Sequence, residues 1–338
     1  AFADPSSEGG VWKPQNDNEK FLGPMRLREA MVLSRNLVSV RLLDAVGIGF
    51  AREYIQRFGF PPESLPQNLS LALGTSSLPP LAMARGYSVF ANGGYLVDTY
   101  SVERIEDDSG NAIYTATPKR ACRECIARIA GSDDGGAASA DDLSAMLNGS
   151  SALPETAPAP TTPEIAGPAK TAESPLAPRV IDERNAFLIT SVMRDVVKRG
   201  TGRGAMVLER NDLAGKTGTT NSYRDAWFSG FNPALVATVW MGHDDFSSLG
   251  DREFAAQTAL PIWIDFMRVA LDGVPEMELV VPNGITTAHI NGAGNLLAEG
   301  SEGGIVEFFK TEDLMRLSVV DENSPEQQNA EQQGIDLF

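Results

Sequence analysis

A lysine flanked by hydroxyl and glycine residues lies within Asp212-Leu213-Ala214-Gly215-Lys216-Thr217-Gly218-Thr219-Thr220, with Asp225-Ala226-Trp227-Phe228 close behind. Glycine weakens a strand unless another backbone must come close, so Gly215 and Gly218 suggest such an approach. Thr217 and Thr219 are two apart and share one face of a strand, while Lys216 and Gly218 lie on the other face or along the edge. A strand edge with a cation and two hydroxyls suits an extended, carboxylate-bearing ligand. The competing reading is a surface strand with a solvated lysine. A second polar group, Ser34-Arg35-Asn36, interrupts two apolar helical stretches and is well placed to point into a cleft. Its competing reading is an ordinary helix cap, a common role for Ser and Asn.

The elements that must position these groups are legible in the apolar spacing. Pro24 opens a helix with Leu27, Ala30 and Met31 on one stripe. A second helix runs over 37–46 and stops at Gly47. Residues 51–58 read as a short helix, and Pro79-Pro80 begin another before Gly93-Gly94. Residues 95–105 alternate like a strand, with 107–111 a turn and 112–117 its hairpin partner. Asp182 is a helix N-cap, followed by Ala186, Ile189, Met193, Val196 and Val197 at helical spacing, with Lys198 and Arg199 at the favourable end of the dipole. Residues 226–231 and 235–241 form a hairpin with one strand buried on both faces. Residues 254–271 read as a helix kinked at Pro261, or as one that starts near Leu260-Pro261. Further strands are expected at 278–281, 286–290 and 305–308. Between 131 and 180 the large apolar residues almost vanish, which predicts a flexible surface excursion. The tail, 321–338, is acidic and Gln-rich and reads as mobile.

The totals narrow the function classes. A chain of 338 residues holds one large or two ordinary domains. The net charge of −17 argues against a nucleic-acid groove or an anionic membrane surface as partner. No apolar run approaches the ~20 residues of a membrane helix. Ala1-Phe2-Ala3-Asp4-Pro5 has neither the basic end nor the apolar stretch of a signal peptide and no initiating Met, so the sequence reads as part of something longer. Two histidines and two cysteines leave little room for a multi-ligand zinc site or a His-centred triad, and no metal or cofactor is expected. Cys122-Arg123-Glu124-Cys125 is a structural disulfide loop, a redox pair or two free thiols.

Ser34-x-Asn36 followed by Lys216-Thr217-Gly218 resembles the second and third motifs of the serine acyltransferases that penicillins inhibit. The surroundings are similar to class A, bifunctional penicillin-binding proteins: Arg28-Glu29-Ala30 leading into Ser34-Arg35-Asn36-Leu37-Val38-Ser39-Val40, Phe90-Ala91-Asn92-Gly93-Gly94-Tyr95, Arg199-Gly200-Thr201-Gly202, and the blocks around Lys216 and Asp225. The resemblance covers residues 11–120 and 180–310. It implies an α/β (α+β) fold with a mainly antiparallel central sheet flanked by helices. It also implies one transpeptidase domain built from 1–130 and 181–320, interrupted by the insertion at 131–180.

The implied reaction is D,D-transpeptidation: acyl transfer from a D-Ala-D-Ala stem peptide of peptidoglycan to an amine of a neighbouring strand. Ser34 would relay the proton to the leaving amine with Lys216, and Asn36 would hold the acyl side of the substrate. Thr217 and Thr219 would bind the terminal carboxylate beside Gly218, with the Thr219 N–H in the oxyanion hole. One departure matters. No serine is followed three residues later by lysine, the spacing that carries the family's nucleophile. The expectation is that the chain starts just after that motif, that it is inactive alone, and that an upstream glycosyltransferase and membrane anchor belong to the same protein. The implied partners are stem peptides and β-lactam antibiotics, at the periplasmic, extracytoplasmic face of a bacterial inner membrane. A D,D-carboxypeptidase and a non-catalytic penicillin-recognising sensor or scaffold are the alternatives. Asp225 and Trp227 read as fixing the hairpin, and His243 as a strand-end surface residue. Arg203 and Gly202 are candidates to line the cleft mouth, and for Tyr223, in the loop after Thr220, reaching the cleft is the lesser of two readings.

Overall fold

The structure, a computed structural model, describes residues 2–3, 10–16, 21–121, 175–298, 304–317 and 319–320. Cys122, Cys125, the low-complexity stretch to residue 174 and the tail from 321 lie outside these described residues. The chain divides into two compact units, Ala1–Thr99 with Pro178–Phe338, and Tyr100–Ala177.

The first unit opens with a short antiparallel pair, β1 (Phe2–Ala3) and β2 (Val11–Trp12). Helix α1 (Leu27–Val32) starts later than Pro24, because Arg26 before it is still extended. Helix α2 (Asn36–Val46) buries Val40 and Leu43 against Leu65, Leu69 and Leu71. Helix α3 (Ile48–Gln56) begins directly after Gly47, three residues before the expected start, and ends at Gln56. Gly47 makes that junction possible with φ 91°, a backbone region L side chains rarely adopt. Helix α4 (Pro80–Ala91) begins on its proline, whose missing N–H is an orphan at that position in any case.

The second unit contains the hairpin β3 (Arg104–Glu106) and β4 (Ala112–Thr115), closed by the Asp107 turn. The strand expected at 95–105 shrinks to β3. Before it, Asn92 occupies both backbone polar groups of Tyr95, accepting from its N–H and donating to its carbonyl at 2.8 Å each. Tyr95 is then left with a single bridge to Arg179.

Back in the first unit, helix α5 (Glu183–Arg199) is capped by the Asp182 carboxylate, which accepts from the Arg184 N–H. Its buried stripe includes Ala186, Met193, Val196 and Val197. The central sheet is three-stranded and antiparallel among the described residues: β5 (Ala214–Thr219), β6 (Asp225–Phe231) and β7 (Val236–Gly242), with β6 in the middle. Alternation sends Ala226 and Phe228 to one face and Phe231 to the other. On the first face they meet helix α6 (Ala259–Ala270), where Phe228 and Trp263 contact edge to face at 4.9 Å. On the second, Phe231 packs with Met193 of α5 and Tyr87 and Phe90 of α4. Helices therefore cover both faces. Pro261 lies in the first turn of α6, where it costs no hydrogen bond, so the helix starts late instead of kinking.

A second sheet carries β8 (Ile285–Ile290), β9 (Leu296–Leu297), β10 (Ile305–Lys310) and β11 (Val319–Val320), in the order β10-β8-β9-β11. The expected strand at 278–281 is absent; Val280 and Val281 are exposed there, and Pro282 follows. Phe308 of β10 meets Phe187 of α5 edge to face at 5.0 Å, and Glu307 of β10 receives Arg28 of α1 at 2.8 Å. Among the described residues no helix is long and apolar enough to cross a membrane.

Candidate active site

The turn between α1 and α2 is tight. Ser34 donates its N–H to Met31 and Arg35 donates to Ala30, which forces Ser34 to φ 53°. A non-glycine residue in this region stores strain on the order of 1 kcal/mol. The side chain is not spent on capping: α2 is preceded by Arg35 and has no side-chain cap. The Ser34 hydroxyl instead accepts from Lys216 Nζ at 2.8 Å. Asn36 donates from its amide to the Gln15 carbonyl at 3.0 Å, and Leu37 N–H donates to Asn16 Oδ1 at 3.3 Å. Residues 15 and 16 thus brace the start of α2.

Opposite stands β5. Register pairs Lys216 with Ser229, Thr217 with Phe228 and Thr219 with Ala226. Directly paired residues share a face, so Lys216 projects to the side of α4, α5 and the Ser34 turn. Thr217 and Thr219 project to the side of α6. Beyond the strand, Thr220 N–H donates to the Asp225 carbonyl at 3.0 Å. Antiparallel alternation then turns the backbone groups of Lys216 and Gly218 toward β6 and those of Thr217 and Thr219 toward the open edge. The Thr217 carbonyl fits this, since it accepts Lys216 Nζ at 2.8 Å.

Lys216 is half-buried and its hydrogen bonds go to two neutral oxygens. Burial pushes its ammonium down from 10.5 to about 8. At that value it gives up and takes back a proton near neutral pH, as a proton-transfer group needs to.

Each threonine receives support from behind. The Thr217 and Thr201 hydroxyls are 2.6 Å apart, and Thr219 Oγ1 accepts from the Ala255 N–H at 3.1 Å. The two glycines differ. A Cβ on Gly215 would come within 2.8 Å of the Phe228 ring, so its approach is to the neighbouring strand. A Cβ on Gly218 would meet nothing nearer than 3.4 Å, which leaves the Lys216 face of the strand open at that position.

Of the other residues singled out, Asp225 accepts from Trp240 Nε1 at 2.8 Å, and Trp227 packs on Trp240 with centroids 6.1 Å apart. Both tie β6 to β7. Gly202 packs near Phe228, Arg203 is exposed, and His243 follows the end of β7. Tyr223, at φ 52°, stacks edge to face on Phe254 at 4.9 Å, next to the Ala255 that supports Thr219. Asp212, at the head of the stretch, is structural: its carboxylate accepts from Arg210, Asn232 and the Met277 N–H. Two contributions escaped the sequence reading, Thr201 behind Thr217 and Ala255 behind Thr219. Thr201 carried a signal, a small hydroxyl residue between glycines just past a helix end. Ala255 carried none, because a backbone N–H has no sequence signature.

A family model described as the penicillin binding protein transpeptidase domain matches residues 3–248. Penicillin-binding protein 1A of Pseudomonas aeruginosa is 46% identical over 306 residues, covering 90% of this chain and 36% of the relative. Penicillin-binding protein 1A of Escherichia coli is 38% identical over 319 residues, 87% of this chain and 38% of the relative. The chain thus spans well under half the length of the curated relatives it matches. The crystal structure of penicillin-binding protein 1A from Haemophilus influenzae superposes with a TM-score of 0.72 at 35% identity, covering 90% of this chain and 42% of that one. PonA1 of Mycobacterium tuberculosis, at 18% identity and a TM-score of 0.57, shares the fold. A match of this length, on a chain whose Ser34 and Lys216 meet beside an open strand edge, makes this polypeptide a member of the penicillin-binding protein transpeptidase family, in its class A branch.

Proposed function

We propose that this region forms one wall of the acyl-transfer cleft of a peptidoglycan D,D-transpeptidase. The observation that carries the proposal is the 2.8 Å contact between Lys216 Nζ and Ser34 Oγ beside the open edge of β5. A stem peptide would add to that edge as an extended strand, its terminal carboxylate on the Thr217 and Thr219 hydroxyls and an amide group on Asn36. A serine attacks the carbonyl carbon of the penultimate D-Ala. The C–O bond forms as the C–N bond to the last D-Ala breaks. The serine proton passes through Ser34, with Lys216 beside it, to the departing amine. An amine of a neighbouring strand then displaces the enzyme oxygen and restores the serine. The Thr219 N–H supplies one oxyanion donor, and removing such a donor typically costs about 10²–10³ in rate.

The attacking serine is not identified within these 338 residues, which contain no Ser-x-x-Lys. We assign it, and a lysine that activates it, to polypeptide upstream in the intact gene product, together with a glycosyltransferase module and an anchor at the periplasmic face of the inner membrane. On this reading the 338 residues alone form no acyl-enzyme, and β-lactams acylate the intact protein in place of the stem peptide. The domain would comprise 1–130 and 181–320, with 131–180 as an insertion and 321–338 as a tail.

The test is a product assay on the intact protein with a stem pentapeptide and an amine acceptor. Cross-linked peptide accompanied by released D-Ala is expected. Release of D-Ala with water as the only acceptor would make the protein a carboxypeptidase. No turnover and no penicillin adduct would leave only a binding role.

A further inference from the structure

The corner that follows α5 touches both the end of α1 and strand β5. Thr201 N–H donates to the Val32 carbonyl at 3.3 Å, one turn-residue away from Ser34. Its hydroxyl lies 2.6 Å from that of Thr217 on β5. Gly200, just before it, leaves no space for a side chain, since a Cβ there would fall 2.4 Å from the same Val32 oxygen. The corner is therefore pinned against the end of α1 and presents one hydroxyl to the strand.

Each hydroxyl has a single proton, so in the Thr201–Thr217 pair only one can be the donor. An anion at the open edge decides which. If Thr217 gives its proton to a carboxylate, its oxygen is free to accept, and the Thr201 proton points to it. Thr219 is arranged the same way, with its oxygen already receiving the Ala255 N–H at 3.1 Å and its proton left for a ligand. Hydrogen bonds chained in this manner strengthen one another in a low-dielectric site.

We propose, resting on the transpeptidase reading above, that Thr201 is a positioning residue that orients the Thr217 hydroxyl as a donor to the substrate carboxylate. Thr201 touches neither substrate nor the reacting atoms. It makes the strand edge selective for an anionic terminus by fixing the direction of a hydroxyl that otherwise rotates.

The test uses the intact protein and two probes, a penicillin and its methyl ester, with acylation rate followed against probe concentration. Thr201→Val keeps the shape and removes the hydroxyl. It should raise the half-saturating concentration of the acid about 10-fold, with the limiting rate held within about twofold and the ester unaffected. Thr201→Ser should restore the acid. In the Thr217→Val background, Thr201→Val should add nothing further. If Thr201→Val does not fold, Thr201→Ala and the Thr217 background carry the same comparison. The proposal is overturned if acid and ester lose equally, if the limiting rate falls alone, or if nothing changes. Wild-type protein that neither probe acylates would overturn the transpeptidase reading as well.

Discussion

Lys216 is the residue on which the proposed acyl transfer turns, and its burial has a thermodynamic consequence as well. Its folded value of about 8 lies below the unfolded value near 10.5. Between these, the unfolded chain holds a proton that the folded chain has released, so the contribution of this group makes stability rise as pH climbs from about 8 to about 10.5. Below 8 the cost of burying the ammonium is present in full. Denaturant titrations across that window should show the rise in the native chain and its loss in Lys216→Met, which should also be the more stable protein below pH 8. A stability difference that does not vary with pH would refute the depressed value. The two glycines of the motif separate packing from ligand access. Gly215→Ala forces a methyl against Phe228 and should cost about 1–3 kcal/mol in chemical denaturation. Gly218→Ala should leave the unfolding midpoint nearly unchanged while slowing penicillin acylation of the intact protein at least about 10-fold, because the methyl projects from the Lys216 face of β5 beside the edge where a ligand would lie.

At the scale of elements, the Ser34–Lys216 contact depends on how α1 is held, since Ser34 hangs from its end. Arg28 of α1 bonds Glu307 of β10 at 2.8 Å and Asp195 of α5 at 3.2 Å, with little solvent access to the guanidinium. Replacing it with leucine leaves Glu307 without its main partner in a nearly buried setting, and the expected loss is about 3 kcal/mol. Arg28→Leu with Glu307→Leu should recover part of it, and a double-mutant cycle by thermal unfolding reads the coupling. Additive losses would mean the pair does not hold the helix. Much of this layer was legible in the sequence. The Asp182 cap, the α5 stripe and the β6–β7 hairpin depend on local spacing, and they stand where the pattern puts them. The misjudged segments depend on partners. Residues 95–103 have strand-like alternation, but Asn92 takes the backbone groups of Tyr95. Residues 278–281 have strand-like composition, yet Val280 and Val281 remain exposed. Alternation states what a segment is able to do, and the availability of a neighbouring edge decides the outcome.

For the molecule as a whole, the candidate site residues Ser34, Asn36, Lys216, Thr217, Gly218 and Thr219 could be named from two short motifs only through their resemblance to a known family, since each motif alone also fits a helix cap or a solvated strand. Their mutual geometry could not be read, since Ser34 and Lys216 are 182 positions apart and their meeting depends on α5, whose Met193 packs with Met31 of α1 and Ala214 of β5. The supporting hydrogen bonds from Thr201 and Ala255 are also long-range or use backbone, and so lie beyond pattern reading. On the proposed mechanism Lys216 acts with Ser34 in acyl transfer. Its most direct test is the rate at which a fluorescent penicillin acylates the intact protein, compared with Lys216→Ala at matched folding. A fall of about 10²-fold or more is expected, with Ser34→Ala falling in the same direction. An unchanged acylation rate in Lys216→Ala would contradict it.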